Sequence, residues 1–302
     1  MIQKREYGAG RQVRPKKNLG QHFLTDLGIA RRIADTVDAC PEIPVLEVGP
    51  GMGVLTQFLA QKPRELAVVE IDKESVEYLK THPLKTLPLQ TLPLQTLPLQ
   101  TIPLQTIPRP LPVREGGELR IIEGDFLRMD LSELFGGRQF VLTGNYPYDI
   151  SSQIFFKMLD NRDLIPCCTG MIQHEVALRM AAKPGNKQYG ILSVLMQAWY
   201  DVEYLFTVEP SVFNPPPKVQ SAVIRLTRNN VTDLGCDEQL FRRVVKATFG
   251  QRRKMLRVSL RQLLQTLPQQ DMMTRRPEQL TIEEFVELTN MVGSQISNRI
   301  DG

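Results

Sequence analysis

Val45-Leu46-Glu47-Val48-Gly49-Pro50-Gly51-Met52-Gly53-Val54-Leu55-Thr56 reads as a strand, a glycine turn and the start of a helix. Glycine lacks a Cβ, so backbone at such a turn can take positive φ and come close to a ligand. A second apolar strand, Val68-Val69-Glu70-Ile71-Asp72, follows and ends in acid. Glu70 lies 21 residues after Gly49, close to the spacing at which an acidic side chain takes ribose hydroxyls in a doubly wound fold. The dinucleotide fingerprint G-x-G-x-x-G requires glycine at position 54, where Val54 stands. The pattern is instead E-x-G-x-G, which implies no pyrophosphate cradle. It argues against a Rossmann oxidoreductase and for a nucleoside without phosphates, such as S-adenosylmethionine.

Further along, the apolar run Phe140-Val141-Leu142-Thr143 reads as a buried strand that delivers Asn145-Tyr146-Pro147-Tyr148. These four residues suit a flat heterocycle carrying an exocyclic amine. The Asn145 side-chain oxygen can accept one N–H of that amine and the Tyr146 carbonyl the other. Pro147 biases Tyr146 toward an extended backbone, and Tyr148 can stack on the ring. Two acceptors on an NH2 group hold its nitrogen toward an incoming electrophile. Taken alone, N-x-P-Y also fits an ordinary strand-to-turn tetrapeptide. The glycine loop, the matching acid and the Asn145 motif, in this order, separate the two readings in favour of transfer to a ring amine.

A chain of 302 residues with 42% apolar content can bury a sizeable core and suits one large domain plus a small one. No apolar run approaches the ~20 residues that span a membrane. Met1-Ile2-Gln3-Lys4-Arg5 leads into no apolar signal core, so a cytoplasmic location is expected. Cys40, Cys167, Cys168 and Cys236 show no C-x-x-C spacing and read as free thiols of a reducing cytosol. His22, His82 and His174 are scattered, and no metal site is expected.

Net charge is +4 but unevenly placed: residues 1–20 sum to +5 and residues 242–261 to +8, leaving −9 for the rest. Such concentration suggests a polyanionic partner, although charge runs are commonly solvated helix faces. Arg253, Arg257 and Arg261 recur every four residues and so share one face of a predicted helix. Met255, Leu256, Leu260, Leu263 and Leu264 form the opposing apolar stripe. One side would pack while the other meets phosphates.

The remaining pattern alternates strand and helix. Leu27 to Ala39 is predicted to be an amphipathic helix with Asp26 as N-cap. Strands are predicted near 44–49, 66–71, 119–123, 139–144 and 169–173, which argues for a doubly wound parallel sheet. Tyr204 to Val208 and Ser221 to Leu226 read as a late hairpin-like pair. After about residue 228 the pattern is helical only, with apolar spacing at Leu240, Val244, Val245, Phe285 and Leu288. One segment departs from all this. From Leu84 to about Pro108 a pentapeptide repeats, with Pro88, Pro93, Pro98, Pro103 and Pro108 in register. Proline every fifth residue excludes a helix and a central strand and points to a polyproline-like or disordered surface excursion.

Asn18-Leu19-Gly20-Gln21-His22-Phe23-Leu24 resembles the N-terminal signature of the ribosomal RNA adenine dimethyltransferases. Glu47 to Thr56, Gly124-Asp125, Asn145 to Tyr148, Asn214-Pro215-Pro216-Pro217-Lys218-Val219 and Gln251-Arg252-Arg253-Lys254 are similar to its later signatures. They run in order over nearly the whole chain, apart from about residues 84–117. Within the family, the resemblance is to the small-subunit, kasugamycin-sensitivity type. It implies an α/β fold: a doubly wound, Rossmann-like class I methyltransferase sheet over residues 1–228, with the repeat inserted at about 84–113. Residues 229–302 would form a small all-helical RNA-recognition domain. The implied activity is S-adenosylmethionine-dependent N6,N6-dimethylation of two adjacent adenosines in the 3′-terminal hairpin of small-subunit RNA. The implied partner is that RNA within a pre-ribosomal particle, met by a monomer.

The resemblance also assigns roles. His22 and Leu24 would line the cofactor pocket, Gly49 and Gly51 would let backbone approach the cofactor, and Glu70 would hold its ribose. Asp125 would receive the cofactor's adenine amine, with Phe126 beside it. Asn145 and the Tyr146–Pro147 peptide would hold the target amine beside the cofactor, Tyr148 would stack on the base, and Phe213 would meet its other face. Without the resemblance, Phe213 is equally a core residue at a loop end. Arg252, Arg253, Lys254 and Arg257 would contact RNA. Three residues depart from the family pattern: Tyr146 stands where proline or leucine is common, His22 where Asn is usual and His174 where Lys is common. For Tyr146 only the carbonyl is needed. Two other readings stand beside this one: a large-subunit RNA methylase of the macrolide-resistance type, and a non-catalytic RNA-binding assembly factor.

Overall fold

The computed structural model describes residues 13, 15–16, 20–82, 119–264 and 270–297. Its elements in chain order begin with β1 (Phe23–Leu24), α1 (Leu27–Asp35), β2 (Val45–Val48), α2 (Thr56–Leu59), β3 (Leu66–Glu70) and α3 (Lys73–Thr81). They continue with β4 (Arg120–Glu123), β5 (Val141–Thr143), α4 (Ser151–Asp160), β6 (Cys167–Gln173), α5 (His174–Ala181) and α6 (Ile191–Gln197). After these come β7 (Tyr200–Val208), β8 (Phe213–Asn214), β9 (Ser221–Arg228), α7 (Glu238–Gly250), α8 (Leu256–Ser259) and α9 (Ile282–Ser297). The pentapeptide repeat and Asn18-Leu19 lie outside the described residues.

Seven strands form one sheet in the order β4-β3-β2-β5-β6-β9-β7. The first five are parallel; β9 runs antiparallel to β6, and β7 antiparallel to β9. The doubly wound sheet is therefore confirmed, and the late pair closes its edge. Those two strands are longer than the sequence suggests, because Tyr200 is buried and pairs with Arg228. β2, β5 and most of β3 are buried at every position, which is why they read as unbroken apolar runs rather than alternating ones. Within β5, Val141 faces one apolar cluster together with Ile33 and Val37, while Leu142 faces the other together with Phe155 and Met158. The second cluster continues without a break into Phe241, Val244, Leu256, Leu280 and Phe285, so the helices after Arg228 pack on the same core.

Three expectations change. The first helix is α-helical only to Asp35 and tightens to a 3-10 turn over Thr36–Ala39, while Asp26 caps it by accepting the Ile29 N–H at 3.0 Å. The basic stripe at Arg253, Arg257 and Arg261 does not lie on one helix. α7 ends at Gly250, a turn covers residues 251–254, and α8 is one turn long. Leu256, Leu260 and Leu264 still face the core, whereas Met255 is exposed. Finally, the four cysteines are not all free. Cys40 and Cys167 form a disulfide with Cα atoms 5.9 Å apart, leaving Cys168 and Cys236 as thiols. The two partners are 127 residues apart, and it is the packing of the first helical segment against β6 that brings them together.

Candidate active site

Strand order reverses between β2 and β5, and in open α/β sheets the crevice beyond the strand ends at such a point is where ligands bind. A cavity of about 220 Å³ lies there. The glycine loop after β2, the acid at the end of β3, the Asn145 segment after β5 and the N-terminal segment around β1 all line it. Gly51 has φ +55, and a Cβ on it would meet the Phe23 ring at 3.0 Å, so this position needs glycine both for its conformation and for its neighbour.

Glu70 is 4% exposed. Its Oε2 accepts the Gly51 N–H at 3.0 Å and its Oε1 the Asp72 N–H at 2.8 Å. Burial pushes its carboxyl above the ordinary value, against the pull of those two N–H groups. Glu47 is buried outright. Burial, with the neighbouring Glu70 carboxylate, pushes it up to about 8. Among the described residues its Oε2 has no hydrogen-bond partner, and Glu47 lines the cavity. A buried carboxyl oxygen without a partner suits a ligand bearing positive charge, which would also favour loss of the Glu47 proton, so the residues present fit a sulfonium cofactor. Asp125 also lines the cavity; its Oδ1 accepts the Leu127 N–H at 2.9 Å.

Asn145 bridges to Met171 of β6, and its Nδ2 donates to the His22 carbonyl at 3.2 Å. That bond fixes the amide so that Oδ1 remains the acceptor. No described residue donates to the Tyr146 carbonyl. Tyr148 shares a 2.5 Å hydrogen bond with the Ser221 hydroxyl, and its ring centroid lies 5.5 Å from that of His22. His22 Nδ1–H donates to the Pro215 carbonyl at 2.8 Å, and β1 pairs antiparallel with β8. The N-terminal segment and the Asn214–Lys218 loop thus meet over the pocket although about 190 residues separate them.

Of the residues assigned from sequence, His22, Leu24, Gly49, Gly51, Glu70, Asp125, Asn145, Tyr146, Pro147 and Tyr148 come together around the cavity. Phe126 and Phe213 do not line it. Both are 4% exposed: Phe126 packs in the core under Lys157, and Phe213 in the cluster beneath α1. For Phe213 this is the placement of a core residue at a loop end. Arg252, Arg253, Lys254 and Arg257 lie together after α7, apart from the cavity. Arg252 donates to the Lys187 carbonyl at 2.5 Å, whereas Arg253, Lys254 and Arg257 are exposed.

Sequence reasoning passed over three contributors. Glu47 sat in the quoted E-x-G-x-G pattern, and its burial was the missing signal. Ile71 follows Glu70 and stays 52% exposed at the cavity, where an apolar side chain offers a face to a flat ring. Asp72 accepts from the Lys16 ammonium at 2.5 Å and from the Gln21 amide at 3.3 Å, pinning the N-terminal segment beside the pocket. Burial raises its pKa, but Lys16 and Gln21 hold it below the ordinary value.

A glycine loop between parallel strand and helix, an acid closing the next strand, and a cavity at the strand-order reversal define a class I S-adenosylmethionine-dependent methyltransferase. The chain matches the family model described as ribosomal RNA adenine dimethylase over residues 12–293. It is 57% identical to the ribosomal RNA small subunit methyltransferase A of Phocaeicola vulgatus over 292 residues, 96% of this chain and 93% of the relative. Its identity to the protein of the same name from Bacteroides thetaiotaomicron is 59%, covering 93% of this chain and 94% of the relative. A crystal structure of a dimethyladenosine transferase from Plasmodium falciparum superposes with a TM-score of 0.64. It covers 90% of this chain and 98% of that one at 23% identity, a likeness of fold. The chain belongs to the ribosomal RNA adenine dimethylase family.

Proposed function

We propose that this protein dimethylates the N6 amines of two adjacent adenosines in the 3′-terminal hairpin of small-subunit (16S) ribosomal RNA. It acts as a cytoplasmic monomer on a pre-ribosomal particle. The observation that carries this reading is the pair of free acceptors at the cavity: Asn145 Oδ1, oriented by the bond from its amide to the His22 carbonyl, and the Tyr146 carbonyl. The names of the relatives support small-subunit ribosomal RNA as the substrate, and the two adenosines are what the family resemblance implies. Bound S-adenosylmethionine supplies an electrophilic methyl group. Glu70 holds the glycine loop through the Gly51 N–H and would offer its remaining lone pairs to the cofactor's ribose, while Asp125 would take its adenine amine. Glu47 would face the cofactor's positive end, and Asn145 and the Tyr146 carbonyl would hold the target N–H groups so that the nitrogen lone pair points into the pocket. Tyr148 stacks on the base. An adenine must be splayed from its neighbours to enter. Methylation makes the nitrogen acidic and water takes the proton, so position and desolvation are the main contributions of the protein.

Residues 229–302 are assigned to RNA recognition, with Arg253, Lys254 and Arg257 on phosphates and Arg252 tying their turn to the Lys187 loop. Mass mapping of adenines after incubation with unmethylated small-subunit particles and cofactor tests the proposal. Two neighbouring dimethyladenosines near the 3′ end are expected. Methylation of large-subunit RNA instead, or cofactor binding with no transfer to any RNA, would overturn it.

A further inference from the structure

The side chain of Tyr146 occupies a slot made for it. Its ring is 1% exposed and meets Phe155 edge-on, centroids 5.6 Å apart. Its hydroxyl donates to the Thr169 carbonyl at 3.1 Å and lies 3.2 Å from Cys168 Sγ. Two glycines clear the space. A Cβ on Gly170 would stand 2.7 Å from the Tyr146 ring and 2.4 Å from the Gly144 carbonyl oxygen, and φ there is +151. A Cβ on Gly144 would meet the Val48 carbonyl at 2.5 Å and the same ring at 3.4 Å. The backbone is held as firmly: Tyr146 N–H donates to Met171 O at 3.0 Å, and Met171 N–H to Gly144 O at 2.9 Å. A proline or leucine at this position could make none of the hydroxyl contacts.

We propose that the Tyr146 side chain is a positioning element for methyl transfer. Slotted between Gly144 and Gly170 and tied by its hydroxyl to Thr169, it fixes the plane of the Tyr146–Pro147 peptide, whose carbonyl accepts one N–H of the target amine. This rests on the reading that an adenine amine is the acceptor. The consequence differs between the two transfers. An unmodified amine has two N–H groups and engages both Asn145 Oδ1 and the Tyr146 carbonyl. A monomethylated amine has one N–H left, which goes to Asn145 Oδ1, the acceptor that the His22 carbonyl orients independently of the Tyr146 side chain. Loosening the carbonyl therefore slows the first transfer more than the second.

The test is single-turnover methylation by wild type and Tyr146→Phe, with unmethylated and with N6-monomethylated RNA, alongside cofactor affinity and thermal melting. Wild-type transfer to adenine establishes the reading on which the proposal stands; its absence would sink that reading rather than the proposal. With wild type active, Tyr146→Phe is expected to lower the first-transfer rate roughly fivefold, the worth of one neutral hydrogen bond. The second-transfer rate should change less than twofold and the cofactor affinity less than twofold. A purely structural role would reduce both rates together through the folded fraction. Equal losses in the two rates, or no loss in either, would overturn the proposal. Tyr146→Leu should show the same asymmetry more strongly; because it also empties the slot, the conservative variant decides.

Discussion

Replacing Glu70 with Gln tests whether this residue is a clamp on the glycine loop as well as a ligand group. Each carboxylate oxygen accepts one backbone N–H, from Gly51 at 3.0 Å and from Asp72 at 2.8 Å. In the amide one of these oxygens becomes an NH2, which turns a donor toward a donor. A hydrogen bond to a charged acceptor contributes about 1.5–3 kcal/mol, and a buried donor left unpaired costs a similar amount. Against this, the neutral amide escapes the desolvation that raises the Glu70 pKa. The net loss comes to roughly 1–3 kcal/mol, which in a protein of this size lowers Tm by about 2–5 °C. Differential scanning fluorimetry reads the stability and calorimetric titration reads cofactor binding; affinity should fall more than about tenfold, because the loop and the ribose lose the same acceptor. An unchanged Tm with cofactor binding abolished would refute the clamp and leave Glu70 as a ligand group only. An unchanged affinity would remove it from the site.

Asp125→Asn is expected to behave differently, since the amide keeps an oxygen for the Leu127 N–H: Tm should move by less than about 2 °C while cofactor affinity falls, as seen in the same two assays. Asn145→Ala should abolish transfer with cofactor binding nearly intact; normal single-turnover chemistry with weakened cofactor binding would contradict its role. Exchanging Arg252, Arg253 and Lys254 for Gln should weaken RNA binding and flatten the slope of log K against log salt by about 2, because Arg252 is already engaged with Lys187. For Glu47 the folded pKa of about 8 stands above the ordinary 4.5, so across that window the unfolded chain releases a proton the fold keeps. Stability of the cofactor-free protein should therefore fall as pH rises from about 5 to about 8, by up to roughly 5 kcal/mol, and level off above. Glu47→Gln should flatten that decline, which melting curves across the same pH range would show.

Much of the fold was readable because parallel strands buried on both faces leave apolar runs that glycine and acid punctuate, as in Val45 to Gly49 and Val68 to Asp72. That Asn145 and Tyr146 line the pocket was readable only in combination: the apolar run before them marks a strand end, and the glycine loop and its acid set them apart from an ordinary strand-to-turn tetrapeptide. What escaped depends on contacts distant in sequence. Nothing near Cys40 announces Cys167, 127 residues away. The periodicity of Arg253, Arg257 and Arg261 suggested one helix, yet α7 stops at Gly250 and the chain turns before α8, so the leucines of the apolar stripe were read correctly while exposed Met255 and the single helix were not. Phe213 shows the same limit: an aromatic before a proline loop looks equally like a stacking platform or a core anchor, and only its pairing with Leu24 in the β1–β8 ladder decides.

The backbone groups that prepare the site are held by side chains that sequence patterns rank as ligands or as spacers. Glu70 reads as a ribose acid, yet both its oxygens fasten the backbone of the glycine loop and of Asp72. Asp72 reads as a helix cap, and it does accept the Glu74 N–H, but it also anchors Lys16 and Gln21 and with them the segment carrying His22. His22 in turn offers its carbonyl to the Asn145 amide and its ring nitrogen to Pro215. A continuous chain of contacts therefore runs from Glu70 through Asp72, Gln21 and His22 to Asn145, joining the acid proposed for the cofactor to the amide proposed for the target amine. A change at Glu70 or Asp72 should then be felt at Asn145 as well as in cofactor binding, and double-mutant cycles of Glu70→Gln with Asn145→Ala, read in cofactor affinity, measure that coupling. A coupling energy within about 0.3 kcal/mol of zero would mean the two ends act independently despite the contacts between them.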